Sequence, residues 1–242
     1  MKKLILTTAA LALTAGFAMA DTIRMGTEGA YPPYNLINDA GEIDGFEVEL
    51  GNELCKRAEL KCEWVANEWD SIIPNLVSGN YDTIMAGMSI TDERDEVIDF
   101  TQEYYPADPS TFVAVSADLE LKGAVIAAQT STIQSSYVAS MDGVTLVEFA
   151  TGEETIAAVK NGEADAVLAD KAFLAPFVAE SGGALAFAGE DVMIGGGVGM
   201  GVRESDAELK AKFDTAIASM KADGSLNELI VKWFKDEAHT FE

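Results

Sequence analysis

One histidine, two cysteines and sixteen lysines and arginines are sparse chemistry for a chain of 242 residues. The histidine, His239, sits beside the C-terminus and leaves the body of the chain no base for a Ser-His or Cys-His nucleophile. The cysteines have no histidine near them to complete a tetrahedral site, so no metal centre is expected. Lysine and arginine are outnumbered by 41 acids, giving a formal net charge of -25 at pH 7. Nucleic acid is excluded as a natural partner, because phosphate contacts need clusters of cations. Beyond residue 20 no stretch approaches the roughly 20 apolar residues of a membrane helix. A glycine-rich phosphate loop is missing too. Gly197-Val-Gly-Met-Gly201 departs from the Gly-x-Gly-x-x-Gly spacing and no Lys-Ser/Thr follows it, so a hinge or a closely packed strand is the better reading. Neither catalytic residues nor a cofactor are expected.

What is present begins with an address. Lys2 and Lys3, the apolar run Leu4 to Phe17 and the small-x-small site Ala18-Met19-Ala20 form an export signal over residues 1–20. The mature chain then starts at Asp21, and no cysteine follows the cleavage site to carry a lipid. Export into an oxidising compartment makes Cys55 and Cys62 one expected disulfide, stapling the end of a helix to the strand after it. The excess of acid either maintains solubility or steers cationic ligands inward. Net charge alone does not choose between these.

Strand-like and helix-like segments alternate, which predicts an α/β fold. Strands are expected at 22–27, 62–65, 81–85, 124–129, 145–149 and 164–168. Apolar residues at 46, 48, 50, 54 and 58 predict a helix over 45–58. Further helices are expected over 69–78, 133–140, 153–162, 171–181, 206–223 and 225–234, with a helical turn at 91–97. Asp206 is placed as an N-cap and Gly224 as a helix stop. Two α/β units with a helical C-terminal section fit this order better than one long sheet.

Arginine is the natural partner of a small carboxylate, because its fork makes two parallel charged hydrogen bonds. The chain has four: Arg24, Arg57, Arg94 and Arg203. Arg57 lies among charged helix neighbours and reads as solvated, while Arg24 and Arg203 flank strands without a polar constellation. Arg94 differs. It closes Ser89-Ile-Thr-Asp-Glu-Arg94, which follows a buried-looking strand and the small residues Ala86 and Gly87, so a ligand can approach the backbone there. Pairing with Asp92 is the purely structural alternative.

Several segments together resemble the family 3 solute-binding proteins, the periplasmic polar-amino-acid receptors of ABC importers. They are Gly26-Thr-Glu-Gly-Ala-Tyr-Pro-Pro-Tyr34, Gly45-Phe-Glu-Val-Glu-Leu50, Trp69-Asp-Ser-Ile-Ile-Pro74, Ala86-Gly-Met-Ser-Ile-Thr-Asp-Glu-Arg94 and Val97-Ile-Asp-Phe-Thr101. Gln129-Thr-Ser-Thr132, Ala164-Asp-Ala-Val-Leu-Ala-Asp170 and Asp223-Gly-Ser225 extend the likeness along the chain. The lysine/arginine/ornithine-, histidine- and opine-binding subgroup also shares the Asn52 to Cys62 disulfide segment.

The resemblance implies a two-lobed periplasmic-binding-protein fold of type II with two hinge crossovers and a ligand cleft between the lobes. Lobe I would be 21–108 plus 199–242, and lobe II 109–198. It implies that Arg94 grips a ligand α-carboxylate, helped by Ser89 and Thr132. Asp170 would take the α-ammonium with the backbone carbonyl of Gly87, beside Ala86. Tyr31 and Trp69 would sandwich the ligand side chain, and Glu28 would face its far end. Read singly, Tyr31 is equally a packed loop residue, Trp69 a core residue, and Glu28 and Asp170 ordinary surface acids. The expected ligand is arginine, lysine, ornithine or histidine, with opines second and a dehydratase on the same scaffold as the enzymatic alternative. Glu28, Trp69 and Ala86 stand where the basic-amino-acid pattern has Asp, Phe and Ser. The expected partners are an inner-membrane ABC permease and its ATPase, and the expected state is a monomeric periplasmic receptor.

Overall fold

A computed structural model describes residues 22–242; the export signal expected over 1–20 lies outside them. Among the described residues thirteen strands and eight α-helices make three sheets with helices packed on them. Strands β1 (Ile23–Thr27), β2 (Ala30–Tyr31), β3 (Asn35–Ile37) and β4 (Ile43–Asp44) precede α1 (Phe46–Arg57). Then follow β5 (Cys62–Ala66), a single helical turn at Trp69–Ser71, α2 (Ile72–Val77), β6 (Thr83–Ile84), α3 (Asp92–Asp95) and β7 (Asp99–Tyr105). The middle of the chain runs β8 (Ser110–Ala114), β9 (Val125–Gln129), α4 (Ile133–Ala139), β10 (Thr145–Phe149), α5 (Gly152–Asn161), β11 (Ala166–Asp170), α6 (Lys171–Glu180) and β12 (Ala186–Val192). It returns through β13 (Val198–Val202), α7 (Ala207–Asp223) and α8 (Ser225–Phe234).

Local chemistry accounts for several boundaries. In α1, Glu47 and Glu49 lie in the first turn and Lys56 and Arg57 in the last, each sign opposite the helix-dipole end it faces. Helix α5 starts with a capping box between Thr151 and Glu154 and stops at Gly162, whose left-handed backbone costs a glycine little. Asp206 stands at the N-cap position of α7 as expected, but its carboxylate makes no capping hydrogen bond and pairs with Arg203 at 2.6 Å instead. The expected disulfide joins Cys55 in α1 to Cys62 in β5.

The two large sheets share one plan. The first has the order β5-β1-β6-β13-β7 and the second β10-β9-β11-β8-β12. Strands β1, β5 and β6 run parallel while β13 opposes β6 and β7. Strands β9, β10 and β11 likewise run parallel, with β8 antiparallel to β11 and to β12. A small antiparallel sheet, β2-β3-β4, sits beside the first. The chain passes between the large sheets twice, through 106–109 and 193–197.

The glycine-rich stretch supplies one of these crossings and then β13. A Cβ on Gly197 would lie 2.8 Å from that of Glu103, and one on Gly199 would press on Ile90 at 2.9 Å. Close packing is thus the reason for glycine here, which is the closely-packed-strand reading of this stretch. Among the described residues no helix is long and apolar enough to cross a membrane.

Candidate functional site

Three of the four arginines are consumed by structure. Arg24 and Arg203 both hold Asp82, at 2.9 and 3.0 Å, and also donate to carbonyls of residues 76–81. The expectation that these two lack a polar constellation is therefore corrected: folding brings Asp82 between them. Arg57 is corrected likewise, from solvated residue to tie, since it bonds Glu53 and reaches Asp223 and Ser225 at the α7–α8 junction.

Arg94 has no such partner. None of the ion pairs among the described residues includes it, Asp92 notwithstanding. Its Nη1 donates to the Ser89 carbonyl at 2.8 Å, and its guanidinium lies 5.4 Å over the Trp69 ring. Thr91 caps α3 by accepting from the Arg94 N–H, which fixes where the side chain starts. Burial pulls the Arg94 pKa down to about 10, with Asp170 opposing the shift.

All nine residues singled out in the sequence line one cavity. Glu28 follows β1, Ala86 and Gly87 follow β6, and Asp170 ends β11, so the cavity lies at the carboxyl ends of parallel strands from both large sheets. That is where open α/β sheets hold ligands. Tyr31 comes from β2, Trp69 from the turn before α2, and Thr132 from the cap of α4.

Hydrogen bonds cross the cavity between the sheets. The Tyr31 hydroxyl donates to Asp170 Oδ2 at 2.8 Å, and Gln134 Nε2 donates to Asp170 Oδ1 at 2.8 Å. Burial raises the Asp170 pKa to about 6 against the pull of Tyr31 and the nearby positive charge of Arg94. The Tyr31 ring stacks on Phe173 of α6 at 4.1 Å, so one of its faces is occupied by the opposite unit. Trp69 Nε1 reaches the Ser131 carbonyl at 3.4 Å. Thr132 spends its hydroxyl proton on the Gln129 carbonyl and accepts from the Ser135 N–H, which makes it the α4 cap. Glu28 accepts from Gln129 Nε2 at 2.6 Å; burial, with Glu47 adding to it, raises its pKa to about 7.

Three more lining residues were not singled out: Gln129, Ile133 and Gln134. Gln129 opens the Gln129-Thr-Ser-Thr132 segment, and its place at the end of a strand is the signal that would have found it. Glu47 was missed as well. It is fully buried, and accepts from the Gly87 N–H at 2.7 Å, from Asn35 at 2.8 Å and from the Tyr104 hydroxyl. Asn35 in turn accepts from the Gly29 N–H at 2.7 Å, so one carboxylate steadies the backbone beside both Glu28 and Ala86. An acid within an amphipathic helix gives no sign of this in sequence.

The model of the bacterial extracellular solute-binding proteins, family 3, matches residues 23–236. The chain belongs to this family. Curated relatives of this solute-binding protein include the lysine/arginine/ornithine-binding periplasmic protein of Escherichia coli K12, 33% identical over 97% of each chain. The L-arginine-binding protein of Pseudomonas aeruginosa is 35% identical over 99% of each. A solved structure of a periplasmic His/Glu/Gln/Arg/opine family-binding protein from Silicibacter pomeroyi, in complex with lysine, superposes with a TM-score of 0.89. It is 70% identical, over 91% of this chain and all of that one. The periplasmic-binding-protein architecture expected from the resemblance is thus present, with its two sheets, two crossings and a cavity between them.

Proposed function

We propose that this solute-binding protein is a periplasmic receptor that clamps a cationic amino acid between its two sheet units and delivers it to an ABC permease and its ATPase. The observation that carries the reading is the half-buried Arg94, found in none of the ion pairs among the described residues, sharing a cavity with Asp170 and Glu28. A zwitterion must shed water on entry, so each of its charges needs a partner inside. Arg94 matches the α-carboxylate, Asp170 the α-ammonium, and Glu28 a second positive charge. Lobe I is 21–108 plus 199–242 and lobe II is 109–198, and they close on the ligand about the two crossings. Only the closed form makes both sets of contacts, so ligand shifts the open–closed equilibrium toward it. The relatives named for lysine, arginine and ornithine support this ligand class.

Calorimetry against arginine, lysine, ornithine, histidine and glutamate tests the proposal. Binding of one or more of the first four and none of glutamate is expected. Tight glutamate binding with none for arginine would refute the cationic reading. The dehydratase alternative predicts turnover of arogenate or prephenate, and none is expected.

A further inference from the structure

Glu28 depends on the opposite unit for its side-chain hydrogen bond. We propose that Gln129 is a positioning residue that sets the Glu28 carboxylate to read the distal charge of the ligand, and that it does so only when the two units are closed. The inference rests on the cationic reading of the cavity above. Glu28 follows β1 in the first sheet unit, whereas Gln129 ends β9 in the second. Gln129 Nε2 donates to Glu28 Oε1 at 2.6 Å and to the Ala150 carbonyl at 3.0 Å. One N–H thus fixes the amide within its own unit and the other reaches across the cleft. Gln129 is 7% exposed, so its amide has little room to choose another orientation.

Among the described residues Glu28 Oε1 is the only carboxylate atom of that side chain with a hydrogen bond, and Oε2 has none. The carboxylate is therefore held by one oxygen and leaves the other for a donor in the cavity. With the units apart, Glu28 loses this bond and turns freely in water. The α-amino and α-carboxylate groups are common to every amino acid, so they cannot tell a cationic side chain from a neutral one. The Glu28–Gln129 pair makes that distinction, and it makes it after closure. Discrimination of this kind appears as slower release of the preferred ligand rather than faster capture.

Gln129→Met keeps the length of the side chain and removes its donor. Arginine and its neutral isostere citrulline are titrated into the wild type, Gln129→Met, Glu28→Gln and the double variant, with dissociation followed by stopped flow. The arginine-to-citrulline affinity ratio is expected to fall about tenfold or more in Gln129→Met, the scale of one hydrogen bond to a charged group. The change is expected in the arginine dissociation rate, and adding Gln129→Met to Glu28→Gln is expected to leave the ratio where Glu28→Gln put it. An unchanged ratio in Gln129→Met, or a fall that persists in the Glu28→Gln background, overturns the role of Gln129. Should the methionine variant fail to fold, Gln129→Asn draws the amide back by one methylene and carries the same expectation. A wild type with no preference for arginine over citrulline overturns the cationic reading itself, and this inference with it.

Discussion

A guanidinium partly withdrawn from water with no ion-pair partner carries a desolvation cost, and Arg94 is kept in that condition beside an indole ring. In the ligand-free protein its return is one hydrogen bond to the Ser89 carbonyl and a place over Trp69 that a methionine stem can also fill. Arg94→Met, which keeps an apolar stem over Trp69, is accordingly expected to melt at or above the wild-type temperature. The same variant is expected to lose amino-acid binding by a factor of about one hundred or more, since two charged hydrogen bonds to a carboxylate disappear together. Thermal melting with and without arginine reads both effects at once. Parallel losses of stability and binding would instead make Arg94 a structural residue. Its place in the cavity was legible because small residues precede it and the other three arginines lack that setting in sequence. The Gln129 and Glu47 contacts were not, because both depend on partners 101 and 57 residues away in sequence, one across the cleft and one across a helix and strand.

At the scale of elements, helices with full chemistry at their ends were the easiest to place. Helix α5 has both halves of its capping box and a terminal glycine, and α8 begins directly after Gly224. Strand β10 was placed to the residue, whereas β8 was not foreseen. Its Ser110–Ala114 residues are all buried, so no alternation of apolar and polar residues marks it. Strand β12 was missed for the opposite reason, since its acids Glu190 and Asp191 and a break in register after Ala188 blur any pattern. The two- and three-residue strands β2 to β4 are too short for a period to show. The Cys55–Cys62 bond, by contrast, lies outside the cavity and closes a loop of seven residues' separation. Loop-closure entropy for that length is worth about 2–3 kcal/mol. Replacing both cysteines by alanine is expected to lower the melting temperature while leaving the ligand rank order unaltered; a changed rank order would show that α1 transmits to the site.

Across the whole molecule, carboxyls that burial holds above their ordinary pKa set a pH dependence, the fully buried Glu47 among them. Burial raises Glu28 and Asp108 to about 7 and Asp170 to about 6, from ordinary values of 4.5 for Glu and 3.8 for Asp. A native pKa above the unfolded one means the folded chain binds more protons between those values, so stability falls as pH rises through the window. The ligand-free protein is therefore expected to melt higher at pH 5 than at pH 8, with the change centred between about 6 and 7. Affinity for a cation runs the other way, because the ionised forms of Glu28 and Asp170 attract it. Arginine binding is expected to weaken below pH 6 and to release protons between pH 6 and 7, measurable by calorimetry in buffers of different ionisation enthalpy. A melting temperature that rises steadily from pH 5 to pH 8 would contradict this assignment of the buried acids.

Strand β13 has a consequence for the order in which a newly made chain takes shape. It lies between β6 and β7, and β7 pairs with no other strand of its sheet. Until residues 198–202 emerge, β7 has nothing to join, and the first sheet stays open although most of its strands are already synthesised. The second sheet needs only residues 110–192 and is complete before that point. The unit begun second is thus the first that can finish. A chain emerging N-terminus first would hold its opening half in waiting until the closing helices follow.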